Sequence, residues 1–257
     1  SGRYTPQTEI DTSPGWFRLG RARVRDHRNL GVIDLTTLLQ KSSNVGAGRI
    51  ALDLPQDALW GLLNGLGFGQ PPGTGFPGEA TGRLQPPDDW ALIDQATLSF
   101  GYGLSTSTLQ LARAYAALAA GGVSRPVSLL KRDEPPPGRR VFSTRTSREL
   151  LTMLESVILP GGTATQAALP GYRVAGKTGT VKKAVAGGYA DDRYLSIFAG
   201  IAPIDGTPLA AVVMIDEPGG EEYYGGAVAA PVFAAVLDDA LRILNIPPDA
   251  RPPEPIR

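Results

Sequence analysis

Gly171-Tyr172-Arg173-Val174-Ala175-Gly176-Lys177-Thr178-Gly179-Thr180-Val181 is a strand sequence with a polar insert. Tyr172, Val174 and Ala175 precede the insert and Val181 follows it, and turn-forming pairs, Pro170-Gly171 and Gly187-Gly188, bound the segment. A period of two puts the Lys177 side chain on one face and the hydroxyls of Thr178 and Thr180 on the other. Gly179, between the threonines, has no Cβ, so another backbone or a ligand can come close there. Two hydroxyls beside an open backbone edge suit a carboxylate-bearing, peptide-like ligand that pairs as an extra strand. The polar end of a surface strand carries the same three letters, so K-T-G gains meaning only in combination.

The combination is with Ser42-Ser43-Asn44, which closes the run Leu35-Thr36-Thr37-Leu38-Leu39-Gln40-Lys41 and precedes Val45-Gly46. An S-x-N at the end of an apolar helix can present a hydroxyl and an amide to a cleft, one to relay a proton and the other to hold an amide carbonyl. A helix-terminal Ser/Asn cluster that only satisfies backbone groups is the alternative. S-x-N followed well downstream by K-T-G is the order of the serine acyl-enzymes that include penicillin-binding proteins and β-lactamases.

With these motifs in place, the chain resembles the class B penicillin-binding proteins, and within them the septal, cell-division peptidoglycan transpeptidases. Leu39 to Gly46 resembles the family's second motif, and Gly65-Leu66-Gly67-Phe68-Gly69 with Pro77-Gly78-Glu79 resembles the loop region after it. Ser99-Phe100-Gly101-Tyr102-Gly103-Leu104 leading into Leu109-Gln110-Leu111-Ala112-Arg113-Ala114-Tyr115-Ala116 extends the likeness. Pro160-Gly161-Gly162-Thr163-Ala164, the K-T-G segment, and Tyr223-Tyr224-Gly225-Gly226-Ala227 to Phe233 complete it.

The resemblance implies serine acyl-enzyme chemistry on a D-Ala-D-Ala stem peptide of peptidoglycan, with β-lactams trapping the same serine and no cofactor. Lys177 would lie near Ser42 and move a proton toward the leaving amine, and Asn44 would hold the substrate amide. The hydroxyls of Thr178 and Thr180 would bind the terminal carboxylate beside Gly179, and the Thr180 N–H would complete an oxyanion hole. Tyr194, Tyr223 and Tyr224 resemble aromatic positions lining the ligand cleft, with ordinary packing as the alternative; Gly225-Gly226 after the tyrosine pair suggests an exposed loop. The family further implies the periplasmic side of the inner membrane at the division septum, other cell-division membrane proteins as partners, and a membrane anchor before position 1.

One family feature is missing. The nucleophile belongs to an S-x-x-K at a helix start upstream of S-x-N, where the lysine lies one turn on, and nothing before Ser42 has that pattern. The chain's S-x-x-K, Ser128-Leu129-Leu130-Lys131, follows Arg125-Pro126 in a short Val/Leu run that reads as extended, so its serine and lysine point to different faces. No nucleophile is therefore expected in this chain, which reads as part of a larger protein starting just after the S-x-x-K helix. A naturally inactive relative, a β-lactamase or carboxypeptidase that passes the acyl group to water, and a noncatalytic peptidoglycan- or division-partner-binding scaffold are the alternatives.

Composition narrows the classes further. The 257 residues are 42% hydrophobic, enough for a sizeable core. Acidic and basic residues balance at 25 each, with no basic block to track nucleic acid. Without cysteine there is no disulfide or thiolate site, and the sole histidine, His27, sits in the polar run Arg25-Asp26-His27-Arg28-Asn29, so a histidine-rich metal site is ruled out and no metal is expected. No apolar run approaches the roughly 20 residues needed to span a bilayer.

The first thirty residues read as irregular or weakly extended, with a turn at Ser13-Pro14-Gly15. Helices follow at 35–41, capped by Asp34, at 55–63 after Pro55, at 106–120 with an apolar stripe of Leu109, Ala112, Ala116 and Ala119, and at 146–159. Residues 65–87 form a long Gly/Pro-rich loop. Strands at 195–202 and 209–215 form a hairpin across Pro203-Ile204-Asp205-Gly206. A last helix over 227–244, with Val228, Val232, Val236, Leu237, Leu241 and Leu244 apolar, covers the sheet. Helices first and antiparallel strands later indicate an α+β fold, here a β-lactamase/transpeptidase-like antiparallel sheet flanked by helices and incomplete on its N-terminal side. It makes one partial domain over 1–246, with a loose Pro-rich tail over 247–257.

Overall fold

A computed structural model describes residues 1–186 and 188–250; Gly187 and the tail from 251 onward lie outside the described residues. The chain divides into two compact units, Ser1–Met153 and Leu154–Arg257.

The first unit opens with short strands that the sequence reading missed. β1 (Glu9–Asp11) pairs with β4 (Val32–Asp34), and between them β2 (Trp16–Leu19) and β3 (Ala22–Arg25) form a hairpin. Three or four residues are too few for alternation to register, and cross-strand contacts stabilise the hairpin instead, with the Arg23 guanidinium 4.1 Å from the Trp16 ring centroid. The expected turn is present. Gly15 has φ +89°, and a Cβ there would lie 3.0 Å from the Asn29 Cα.

Asp34 caps α1 (Leu35–Lys41) by accepting the Thr37 N–H at 2.7 Å, as expected. α2 (Asn44–Asp53) follows directly, then α3 (Gln56–Gly65) behind Pro55, α4 (Leu92–Leu98) and α5 (Thr108–Ala119). A small core of Val24, Val45 and Ala96, packed by Phe17, Leu52, Ile93 and Phe100, joins the hairpin to α2 and α4. Next come β5 (Val123–Ser124), its partner β6 (Arg139–Arg140), and α6 (Thr144–Glu155), whose last residues pass into the second unit.

The stripe expected on α5 is out of phase. Its buried residues are Gln110, Ala114, Ala117 and Leu118, while Leu109 and Ala116 are exposed. A glutamine on the inner face misled the hydrophobic count, yet it organises the 66–86 loop. The Gln110 amide donates to the carbonyls of Gly67 (3.2 Å), Gln70 (2.7 Å) and Thr81 (2.9 Å), and its oxygen accepts from Ser107 N–H (2.8 Å). The segment around Ser128 is also corrected. It is irregular rather than extended, and the Ser128 hydroxyl is folded back to donate to the Leu130 carbonyl at 2.8 Å.

In the second unit β7 (Ala175–Val185), β8 (Gly188–Ala202) and β9 (Leu209–Asp216) form an antiparallel sheet in the order β7-β8-β9. β8 starts seven residues before the expected Leu195. α7 (Gly225–Val228) and α8 (Ala230–Ile243), with Pro231 in the first turn of α8, replace the single helix expected at 227–244. α8 buries Ala230, Phe233, Leu237 and Leu241, spaced three and four apart, while Val232, Val236 and Leu244 are exposed. Phe233 meets Phe198 of β8 edge-to-face at 4.8 Å, each ring fully buried and contributing about 2–3 kcal/mol.

The tail is not loose at its start. Asp249 accepts N–H bonds from Arg173 (2.7 Å), Ile204 (2.9 Å) and Asp205 (3.0 Å), pinning residues 246–250 across the start of β7 and the β8–β9 turn. Arg173 adds a two-pronged ion pair to Glu155 and a third contact to Asp205.

Candidate active site

Lys177, Thr178, Gly179 and Thr180 stand on β7, one of the two edge strands of the sheet. Register fixes what that edge offers. Glu217 N–H donates to the Tyr194 carbonyl at 3.0 Å, so in β8 the main-chain groups of Tyr194, Ser196 and Phe198 turn toward β9 and those of Leu195, Ile197 and Ala199 toward β7. Gly179 faces Ile197 and Lys177 faces Ala199, which leaves the N–H and C=O of Thr178 and Thr180 pointing off the sheet. The Lys177 ammonium curls over this edge, 3.3 Å from the Thr178 carbonyl and 3.5 Å from its hydroxyl. Burial strips water from the ammonium and pulls its pKa down to about 8. Near neutrality it can therefore both give and take a proton.

The threonine hydroxyls share the opposite face, as alternation predicts. Thr178 Oγ1 is 3.0 Å from Thr163 Oγ1, and Thr180 Oγ1 accepts the Gly225 N–H at 3.0 Å. Ser196, the register partner of Thr180, donates its buried hydroxyl to the Tyr223 carbonyl. The stretch Tyr223–Gly225 therefore lies across this face. Contrary to expectation, Gly225 is buried rather than part of an exposed loop: a Cβ there would lie 2.3 Å from the Ile197 oxygen and 2.6 Å from the Gly179 oxygen. The close backbone approach expected beside Gly179 exists, but Gly225 is the glycine that permits it; a Cβ on Gly179 would meet only Ile197 Cβ at 3.5 Å.

Tyr194, opposite Lys182 in the register, continues that face by one pair of residues. Its ring stacks on Tyr223 at 4.3 Å, and Tyr223 stacks on Tyr224 at 4.6 Å. The three tyrosines thus form one ladder beside a shallow pocket lined by Arg193, Tyr194, Glu217 and Tyr223. The Tyr223 hydroxyl donates to the Tyr224 oxygen at 3.3 Å. Beyond the ladder Lys183, at a β7 irregularity, bonds Asp216 and Glu217 across the sheet at 2.8 and 2.7 Å. Sequence reasoning singled out neither Ser196 nor Lys183. Ser196 is a polar residue inside an apolar run, the one signal that marked it.

Ser42 and Asn44 belong to the first unit, at the α1–α2 junction. Ser42 ends α1 in the left-handed conformation, φ +58°, a position helices usually give to glycine and one that costs a side chain about 1 kcal/mol. The middle serine is the structural one: Ser43 caps α2 through Gly46 N–H (2.9 Å) and donates to Asp26 Oδ2 (2.6 Å). Asp26 Oδ1 in turn accepts the Val45 N–H at 2.9 Å. Fixing Ser43 inward leaves Ser42 exposed, while Asn44 spends its amide nitrogen on the Arg25 carbonyl at 3.3 Å and has no partner for its amide oxygen among the described residues. His27 is exposed at a bend. Among the described residues no group of three His, Asp or Glu side chains could hold a metal ion, and no helix is long and apolar enough to cross a membrane.

Comparison with known proteins adds the family. The penicillin binding protein transpeptidase domain matches residues 1–238. The peptidoglycan D,D-transpeptidase FtsI of Escherichia coli is 44% identical over 94% of this chain, and the probable peptidoglycan D,D-transpeptidase PenA of Neisseria meningitidis is 41% identical over 96%. This chain spans 41% and 42% of the length of those relatives. Among solved structures, the transpeptidase domain of Burkholderia pseudomallei penicillin-binding protein 3 superposes with a TM-score of 0.91 at 46% identity, covering 97% of this chain and 76% of that one.

Proposed function

Because the chain belongs to the penicillin-binding protein transpeptidase family, we propose that it contributes the S-x-N and K-T-G elements to a septal, cell-division peptidoglycan D,D-transpeptidase. The observation that carries this reading is the β7 edge. Main-chain donors and acceptors of Thr178 and Thr180 face outward, beside two anchored hydroxyls and a lysine whose pKa is near 8.

A D-Ala-D-Ala stem peptide laid along that edge gains strand-type hydrogen bonds, and its terminal carboxylate meets the Thr178 and Thr180 hydroxyls. The serine nucleophile comes from outside residues 1–257. Its attack on the penultimate D-Ala carbonyl builds an oxyanion that the Thr180 N–H receives, and loss of such a donor costs about 3 kcal/mol of transition-state stabilisation. Lys177 and Ser42 carry the proton to the departing D-Ala amine, and Asn44 holds the substrate amide. An amine of a neighbouring stem then takes the acyl group. A β-lactam acylates the same serine, and Tyr194, Tyr223 and Tyr224 provide an aromatic wall. The protein works on the periplasmic side of the inner membrane with other division proteins, through an anchor outside this chain.

The test is a fluorescent penicillin applied to this chain and to the full-length protein, with the acylated residue located by mass spectrometry. The full-length protein is expected to label at a serine outside residues 1–257, and the short chain not at all. A penicilloyl group on Ser42 or Ser128 defeats the assignment.

A further inference from the structure

Away from these motifs, the first unit carries two arginines that its own acidic residues do not answer. α3 ends at Gly65, and the chain turns through Gly67 at φ +99°. Arg113 of α5 and Arg139 of β6 lie on this turn. A Cβ on Gly67 would be 3.0 Å from Arg113 Nη1, and one on Gly65 would be 3.1 Å from Arg139 Nη2. Neither guanidinium has a hydrogen bond or an ion pair with any described residue, whereas neighbouring Arg140 donates to the carbonyls of Gly121 (2.9 Å) and Phe142 (3.2 Å). Burial and the nearby positive charge of Arg139 both lower the Arg113 pKa, so the two cations repel each other across the turn.

A second observation bears on the same two arginines. Among the described residues, three buried side-chain polar atoms lack a hydrogen-bond partner: Trp60 Nε1, Arg113 Nε and Ser124 Oγ. Arg113 Nε belongs to one of the two guanidinium groups at this turn, and Ser124 is the register partner of Arg139 across β5 and β6. A guanidinium nitrogen only donates, so what Arg113 lacks is an acceptor. The negative end of α3 offsets part of the local charge, but no carboxylate among the described residues pairs with either guanidinium.

The geometry points to an anion-binding site at the Gly65–Gly67 turn, formed by Arg113 and Arg139 and filled by a phosphate-type oxyanion, either free or as a lipid headgroup. A dianion with several oxygens suits two forked guanidinium groups and the stranded donors better than a single acceptor does. The site is tied to the 66–86 loop, because Gln110, one turn before Arg113, bonds the Gly67 carbonyl of the same turn.

The test adds inorganic phosphate to the full-length protein at constant ionic strength, with chloride as the balancing anion, and follows Tm. Wild type is expected to show a saturable rise. Arg139→Gln, exposed and outside the motifs above, is expected to weaken the apparent phosphate affinity at least about tenfold and leave the phosphate-free Tm within about 2 °C. Arg113→Gln should act in the same direction. Flotation with phosphatidic acid vesicles in excess of that with phosphatidylcholine vesicles, competed away by free phosphate and lost in Arg139→Gln, assigns the lipid source, and equal flotation with both assigns the free oxyanion. No saturable effect in wild type, or an effect that persists in Arg139→Gln, overturns the proposal.

Discussion

Gly225→Ala is the sharpest perturbation of the K-T-G wall. The added methyl would sit 2.3 Å from the Ile197 oxygen and 2.6 Å from the Gly179 oxygen, and both are main-chain atoms held in a paired strand. Ordinary contact requires a shift of about 1 Å. The start of α7 has to back away, which strains the Gly225 N–H bond to Thr180 and the Ser196 bond to the Tyr223 carbonyl. Overpacking of about 1–3 kcal/mol plus about 1 kcal/mol for a weakened hydrogen bond gives roughly 3 kcal/mol, a fall in Tm of about 6–12 °C for a domain of this size. A displacement of about 1 Å at the threonines should also slow penicillin acylation by the full-length protein about 100-fold. Gly179→Ala is the control, since its methyl makes only a 3.5 Å contact with Ile197, and it should cost under about 1 kcal/mol. Calorimetry and stopped-flow acylation read both effects. Wild-type stability and rate in Gly225→Ala, or greater damage from Gly179→Ala, would show that the contact between α7 and β7 is not what holds the threonines.

Three further perturbations probe other parts of the structure. The folded pKa of Lys177, about 8, lies below its ordinary value of 10.5, so the unfolded chain binds the extra proton between these pH values and stability should rise across pH 8 to 10.5, by about 3 kcal/mol; denaturant titrations should show that rise vanish in Lys177→Met, and an unchanged slope would contradict the burial argument. Asp249→Ala removes the acceptor of three backbone N–H groups and should cost about 2–4 kcal/mol, with faster amide exchange at Arg173, Ile204 and Asp205; unaltered exchange would mean that the strap is not held there. Gln110→Leu keeps the volume but strands the carbonyls of Gly67, Gln70 and Thr81; a loss of about 2–3 kcal/mol and new proteolytic cuts within 66–86 are expected, and a protease-resistant loop would refute the clamp.

What the sequence disclosed follows the length of its signals. The β7 strand was legible because alternation runs on both sides of the polar insert, and the face assignment of Lys177 against Thr178 and Thr180 followed from it. β8 was seen only from Leu195 because the residues before it include the charged Asp192 and Arg193, which fall in the break of register between Tyr189 and Tyr194 rather than in regular alternation. The helix at α5 was found with the wrong inward face, because Gln110 faces inward for its amide, and that at α8 with a face only partly right: Leu237 and Leu241 are buried, but Phe233 rather than Val232 sets the phase. S-x-N read correctly as a helix end, but the fixation of Ser43 depends on Asp26, seventeen residues earlier, and no local pattern announces so distant a partner.

The Gly225 N–H bond to Thr180 has one more consequence. With a lone pair of that oxygen already engaged by an amide, its own hydrogen is left to donate away from Gly225. For the carboxylate of the proposed function, that is the polarity required. A carboxamide that turned its NH2 toward the same spot would bring hydrogen against hydrogen, so on that reading one small hydroxyl would discriminate between chain ends that are almost identical in shape.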